Sequence, residues 1–245
     1  MSQLNAKVLD KLRSFDTPTI CNLVELFEVR ARNAGYMDGR IRACFPEMLP
    51  MVGFAATATF RASGPPREGD AYATTSVQVE RFEELSGPPV VVFQDLDDPP
   101  VAATFGEVMC TTYQAFGAVG LVTSGAGRDL EQVRDLGFPV FTGGIICAQG
   151  DCHILDTPVP LHVGGLVVYP DDLHHGDRNG VTAIPKEIAG ELAEIGDEFV
   201  AAEGIILDAL RDGPPSVRRL QEARAESQAR IRELRARVSR ARMET

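Results

Sequence analysis

Arg128 and Asp129 stand side by side at the end of Gly117-Ala-Val-Gly-Leu-Val-Thr-Ser-Gly-Ala-Gly-Arg-Asp129, where an apolar run gives way to a glycine-rich turn. A guanidinium beside a carboxylate at the start of a helix offers a planar fork for an anion and an oxygen for a cation to the same small molecule. A second motif, Gly106-Glu107-Val108-Met109, lies upstream. Glu107 in a first helical turn favours the macrodipole, and free amides at that helix start suit a carboxylate ligand. Spacing alone leaves Asp129 equally suited to cap a helix beginning at Leu130, and Arg128 to be a surface side chain.

The elements around these motifs read as alternating strands and helices. Residues 90–94 form a continuous apolar strand, 106–116 a helix, 120–123 a strand, 130–136 a helix and 139–142 a strand. That β-α-β-α-β order predicts parallel strands with right-handed crossovers, with both motifs at strand-to-helix junctions where ligands gather. Before it come a short helix over 5–14, a helix opened by Thr17-Pro18 and running to 26, an irregular stretch over 33–50 and a strand over 53–61. After it, 161–169 and 181–184 read as strands separated by the turn-rich segment 170–180. A long amphipathic helix follows Pro185 and ends near Arg211, where Asp212-Gly-Pro-Pro215 breaks it. The chain thus divides into an α/β domain over 1–211 and an arginine-rich C-terminal helix over 212–245. Leu220, Ser227, Ile231, Leu234 and Val238 give that helix a thin apolar seam suited to a neighbouring subunit.

Composition narrows the function classes. With 245 residues and 44% hydrophobic content, the chain can bury a sizeable core, and no apolar run approaches the ~20 residues that span a bilayer. A soluble, cytoplasmic protein is expected, because the first residues lack the charged-then-apolar order of a secretion signal. The net charge of -11 repels nucleic acid. From Arg218 onward nine arginines face four acids, but no aromatic residue is there to stack on bases, so a solvated helix is expected. The five cysteines lack paired spacing, which fits a reducing compartment. Cys147, Cys152 and His153 contain no Cys-x-x-Cys and are read as structural rather than as zinc ligands. His174-His175 is read as part of an exposed loop. The glycines between 117 and 127 do not match the Gly-x-Gly-x-x-Gly dinucleotide pattern, so Gly125 and Gly127 are expected to allow positive φ or close backbone approach. No Gly-x-Ser-x-Gly or His-Glu-x-x-His motif occurs.

Taken together, Phe105-Gly-Glu-Val-Met109, the 117–129 motif, Phe138-Pro-Val-Phe141 and Tyr169-Pro-Asp-Asp-Leu-His-His-Gly-Asp-Arg-Asn-Gly-Val-Thr-Ala-Ile-Pro185 resemble the RraA-like family, over roughly residues 15 to 190. That family includes 4-hydroxy-4-methyl-2-oxoglutarate aldolases and regulators of ribonuclease activity. The resemblance implies a swivelling β/β/α domain with a partly parallel central sheet, assembled as a trimer or a dimer of trimers. It also implies magnesium or manganese and a small 2-oxo acid substrate. By motif position, Gly106, Glu107, Val108 and Met109 would bind substrate, Arg128 would contact its carboxylate and keto oxygen, and Asp129 would hold the metal. The reaction implied is retro-aldol cleavage releasing pyruvate, or oxaloacetate decarboxylation. The alternative is a non-catalytic regulator binding a ribonuclease; a methyltransferase would need a cofactor loop that the chain lacks. Four positions depart from the family pattern, with Asn22, Ser124, Asp171 in Pro170-Asp171-Asp172, and Asn179 where aspartate, aspartate, glycine and aspartate are usual. A glutamate that some aldolases of the family receive from a neighbouring chain has no assignable equivalent.

Overall fold

A computed structural model describes residues 4–66 and 73–240. Asn5 accepts from the Val8 amide and opens α1, Ala6–Arg13. Asp16 accepts from the Thr19 amide at 2.8 Å and opens α2, Thr17–Phe27, so the cap falls one residue before the Thr17 expected from the sequence. The irregular stretch that follows contains β1, Arg42–Ala43. The long strand β2, Met51–Arg61, is buried until its last residue. Helix α3, Ala73–Glu80, leads to β3, Pro89–Asp95.

From here strands and helices alternate: β4, Ala103–Phe105; α4, Glu107–Ala115; β5, Gly120–Thr123; β6, Ala126–Gly127; α5, Leu130–Asp135; and β7, Val140–Thr142. The short strands β8, Gly144–Ile145, and β9, His153–Ile154, come next. The segment 161–169 is not one strand but a hairpin of β10, Leu161–Val163, and β11, Leu166–Val168, because Gly164 and Gly165 both take positive φ between them. The chain closes with β12, Leu173–Asp177; β13, Gly180–Ile184; α6, Ala189–Arg211; and α7, Val217–Val238.

The central sheet runs β1-β7-β5-β3-β2-β12-β13, with β9 also paired to β2. Strands β2, β3, β5 and β7 are mutually parallel, as the alternating pattern predicts, and antiparallel neighbours flank them. The architecture is mixed α/β with a partly parallel sheet and C-terminal helices, the class the resemblance implies. Both faces of the sheet are covered, so β3 is apolar at every position from Val90 to Phe93: Val91 and Phe93 pack toward α4, while Val90 and Val92 pack toward the β10–β11 hairpin. Val52, Phe54, Leu173 and Ile184 meet α1, α2 and α6 in a third cluster. Among the described residues no helix is long and apolar enough to cross a membrane.

Two expectations from the sequence are corrected. His174 and His175 are not in an exposed loop. They lie in β12 between β2 and β13, both fully buried. His175 Nδ1 pairs with Thr17 Oγ1 at 2.9 Å and Nε2 with the Leu12 carbonyl at 3.2 Å, while Asp177 accepts from the Thr17 amide at 3.0 Å. Local polarity hid the strand because His175 and Asp177 find partners far along the chain, at Thr17 and Leu12. The seam of α7 is likewise not left free for another subunit. Ser227, Leu234 and Val238 are buried in this same chain, and Leu234 and Val238 join the α1–α2–α6 core. Arg237 forks Glu198, and Arg240 reaches Glu191 and stacks over Phe27. The last tail residues, 241–245, lie outside the described residues.

Two stability measurements follow from this packing. Leu234→Ala is expected to lower the free energy of unfolding by about 2–5 kcal/mol, read from the denaturant midpoint; a change within experimental error would mean that α7 does not pack as described. Burial pushes His175 down to about 4 from its ordinary 6.5, against opposing pulls from Asp177 and nearby carbonyls. The unfolded chain therefore binds a proton that the folded one refuses, and stability falls as pH drops from about 6.5 toward 4, by up to about 1.4 kcal/mol per pH unit. The thermal midpoint of His175→Gln should show a shallower pH dependence across that window than the wild type.

Candidate active site

The two motifs meet on a second, small sheet. Strands β4, β6 and β8 pair in parallel, with Phe105 opposite Gly127 and Gly127 opposite Ile145. The sequence placed the motifs directly after the strands now seen as β3 and β5. The structure interposes β4 and β6, so the motifs open α4 and α5 from the carboxyl ends of these shorter strands. The pairing continues one step past β6, where the Arg128 amide donates to the Phe105 carbonyl at 3.1 Å. Gly127 takes no positive φ; it is needed because the Phe105 ring lies where a Cβ would project.

The residue with left-handed backbone is Asp129 itself, at φ 54° and ψ 41°. Its side chain does not cap α5, the helix it precedes. Instead Oδ2 accepts from the Glu107 amide at 3.1 Å, capping α4 from the neighbouring junction. Gly106 makes this possible, since a Cβ there would sit 2.6 Å from Asp129 Oδ2. The Val108 and Met109 amides precede the first helical bond of α4, Cys110 N to Gly106 O, and are that helix's remaining orphan donors. Val108 is 68% exposed, Glu107 is exposed, and Met109 leans on the apolar core.

Arg128 lies against this carboxylate, with Nε 3.7 Å from Asp129 Oδ2, and the two side chains are 29% and 38% exposed. Its far end is also held: Nη2 donates to Gln149 Oε1 at 3.2 Å. The structure thus brings together Gly106, Glu107, Val108, Met109, Arg128 and Asp129, and adds Gln149, for which no sequence motif gave a signal. Charge from Asp129 reaches the protein interior as well. Burial chiefly, with a contribution from Asp129, raises the Cys110 thiol far above its usual range, and burial alone pushes Cys44 up to about 11. Neither thiol ionises near neutral pH, so neither supplies a nucleophile. Cys147 is exposed, whereas Cys152 and His153 are buried, with His153 Nδ1 turned to the Asp151 carbonyl.

Three of the four departures from the family pattern have local roles. Ser124 Oγ accepts from the Asp95 amide at 2.9 Å; Asp171, at φ 70°, holds Ser86 and Lys186; Asn179 holds Asp177 in the β12–β13 turn. Asn22 is exposed on α2. A separate cleft of about 300 Å³ opens where β3 and β5 end, beside Arg40, Asp95, Ser124 and His162. Burial pushes the Asp95 carboxyl up to about 6 there, and Arg128 and Asp129 are not among the lining residues.

The fold agrees with comparison to known proteins. The sequence model of the Aldolase/RraA family matches residues 17–183. A protein of Halalkalibacterium halodurans, assigned by name as a 4-hydroxy-4-methyl-2-oxoglutarate aldolase, is 32% identical over 124 residues, covering 50% of this chain and 59% of that relative. The chain therefore spans less than two thirds of that relative's length. Among solved structures, an uncharacterized protein from Pseudomonas syringae superposes with a TM-score of 0.69 at 21% identity, covering 91% of this chain and 95% of the other. Streptomyces coelicolor RraAS2, described as an unusual member of the RNase ES inhibitor RraA family, superposes with a TM-score of 0.64 at 23% identity, covering 83% and 97%. At these identities the two structures speak for the fold, while the sequence match, which takes in both site motifs, shows that this chain belongs to the RraA-like family.

Proposed function

We propose that the chain is a divalent-metal-dependent carbon-carbon lyase that cleaves a 4-hydroxy-2-oxo acid to release pyruvate, or decarboxylates oxaloacetate. One observation carries this reading: a carboxylate, a guanidinium and the orphan amides of a helix converge on one rim, locked together by the Glu107 N to Asp129 Oδ2 bond. The family match and the name of the relative support the reaction class.

The donor set fits magnesium or manganese. Among the described residues no three His, Cys, Asp or Glu side chains gather into a cage of their own, and Asp129 offers an oxygen, Oδ1, without a hydrogen-bond partner. Magnesium keeps several waters and is held by one or two carboxylates plus substrate oxygens, which is what a single half-exposed aspartate allows. When bound, the cation supplies Lewis-acid polarisation of the substrate's keto oxygen.

The remaining chemistry is assigned to this chain's own groups. The Val108 and Met109 amides, at the positive end of α4, bind and orient the substrate carboxylate. The planar Arg128 fork bridges carboxylate and keto oxygen. Cleavage removes the proton of the C4 hydroxyl, turns that carbon into a carbonyl and sends the C3–C4 electron pair toward the keto oxygen as an enolate. Arg128 stabilises that developing charge, and its partial burial makes it more effective than it would be in water. Protonation at C3 then gives pyruvate. His153, His174 and His175 are buried elsewhere and His162 lines the separate cleft, so water on the open rim is the proton carrier.

Two substitutions test the assignment. Asn tolerates left-handed backbone and can accept from the Glu107 amide, so Asp129→Asn should fold normally. It should lose Mn²⁺ binding, measured by electron paramagnetic resonance, together with pyruvate release; unchanged Mn²⁺ affinity would remove Asp129 as the metal ligand. Arg128→Lys replaces a fork with a point charge and should lower kcat/KM by about 10²-fold without altering Mn²⁺ affinity. A wild-type protein that releases pyruvate from none of these acids with either metal ends the lyase reading.

A further inference from the structure

Arg128 projects from an extended strand end, and its two outer contacts determine where its guanidinium lies. Asp129 faces Nε, and Gln149 takes Nη2 at 3.2 Å. Nη1 is left without a protein partner among the described residues, so the fork keeps a free edge only while both contacts hold. An unrestrained arginine spreads over many rotamers, and the Asp129 contact is too long to be a hydrogen bond.

Gln149 is itself held by an anchored turn. The Ala148 carbonyl accepts from Ala103 in β4 at 2.9 Å, and the Asp151 amide donates to the Ala62 carbonyl at 3.2 Å. Gly150 between them takes φ 57°, and a Cβ there would lie 2.9 Å from Ala102 Cβ. Cys152, which closes the turn, is 7% exposed. Burial raises the Cys152 thiol, while a hydrogen bond from the Gln149 side chain and the charge of Arg128 pull it back.

We infer that Gln149 is the positioning residue for Arg128, holding the fork at the edge of the α4 amides so that Nη1 faces the ligand. The inference deepens the lyase reading of the same site and rests on it. Glutamine suits the task because it accepts a hydrogen bond without neutralising the charge that the substrate carboxylate must meet; a carboxylate at this position would hold the guanidinium but compete for it.

The test compares Gln149→Leu and Gln149→Glu in the whole 245-residue chain. Leu keeps the bulk and removes the acceptor, so kcat/KM for pyruvate release should fall about 10- to 100-fold, mainly in kcat, as the fork loses its position. Glu keeps the oxygen, so kcat should stay near wild type while KM rises. Mn²⁺ affinity and the thermal midpoint should be unchanged in both variants, since Asp129 and the core are untouched. Wild-type kinetics in the Leu variant, or equal losses of activity, Mn²⁺ affinity and melting temperature in both variants, would overturn the positioning role. If the wild type releases no pyruvate but binds oxalate in the presence of Mn²⁺, the same comparison is read in oxalate affinity. Weaker binding by the Leu variant then upholds the positioning of Arg128 while the lyase reading fails, and equal affinities overturn it. A wild type that neither turns over nor binds oxalate ends both.

Discussion

A single side-chain hydrogen bond, from the Glu107 amide to the Asp129 carboxylate, ties together the two strand-to-helix junctions that the β4–β6 pairing sets side by side. Its demands account for several residues at once. Position 106 must lack a side chain, because the carboxylate occupies the space a Cβ would take. Asp129 must turn left-handed, so that its side chain leaves its own helix and reaches the next. Phe105 must lie over Gly127 so that β4 and β6 stay in register. The bond also lets one aspartate neutralise a helix N-terminus with one oxygen while the other stays available.

This explains why spacing alone left Asp129 with two readings. A residue between a glycine turn and a helix looks like that helix's cap, and only the backbone angle shows that the side chain turns away. The parallel core was legible for a simpler reason. A strand covered on both faces must be apolar throughout, and Val90 to Phe93 and the run from Gly120 advertise that locally. Strand β12 does not, since Leu-His-His-Gly-Asp is polar in sequence, and it lies in the core between β2 and β13 with His175 and Asp177 satisfied by Thr17, some 160 residues away. Strands β4, β6 and β8 are two or three residues long, too short for any period to register. Gln149 belongs to no motif; its role depends on a turn pinned by Ala62 and Ala103, contacts invisible along the chain.

The fold and the site place separate constraints on this chain. Ser124, Asp171 and Asn179, where the family pattern differs, are each occupied with backbone or neighbouring side chains and leave the junction of α4 and α5 intact. Variation at such places can alter the surroundings of the site, including the cleft beside Asp95, without disturbing the fork and carboxylate. A shared fold therefore says less about substrate than the few groups on the rim.

The α1–α2 core has a consequence for how the molecule is made. Leu9, Leu12, Ile20, Leu23 and Phe27 are buried against Ile188, Leu192, Phe199 and Leu234, and the Arg240 amide returns to the Phe27 carbonyl. Helices α1 and α2 are thus made well before the helices that cover them, since α6 and α7 follow more than 150 residues later. Until α6 and α7 follow, an apolar face waits in solvent, and closing so long a loop is slow. The nascent chain is most exposed to aggregation, and most in need of a chaperone's shelter, in the interval before α6 and α7 arrive.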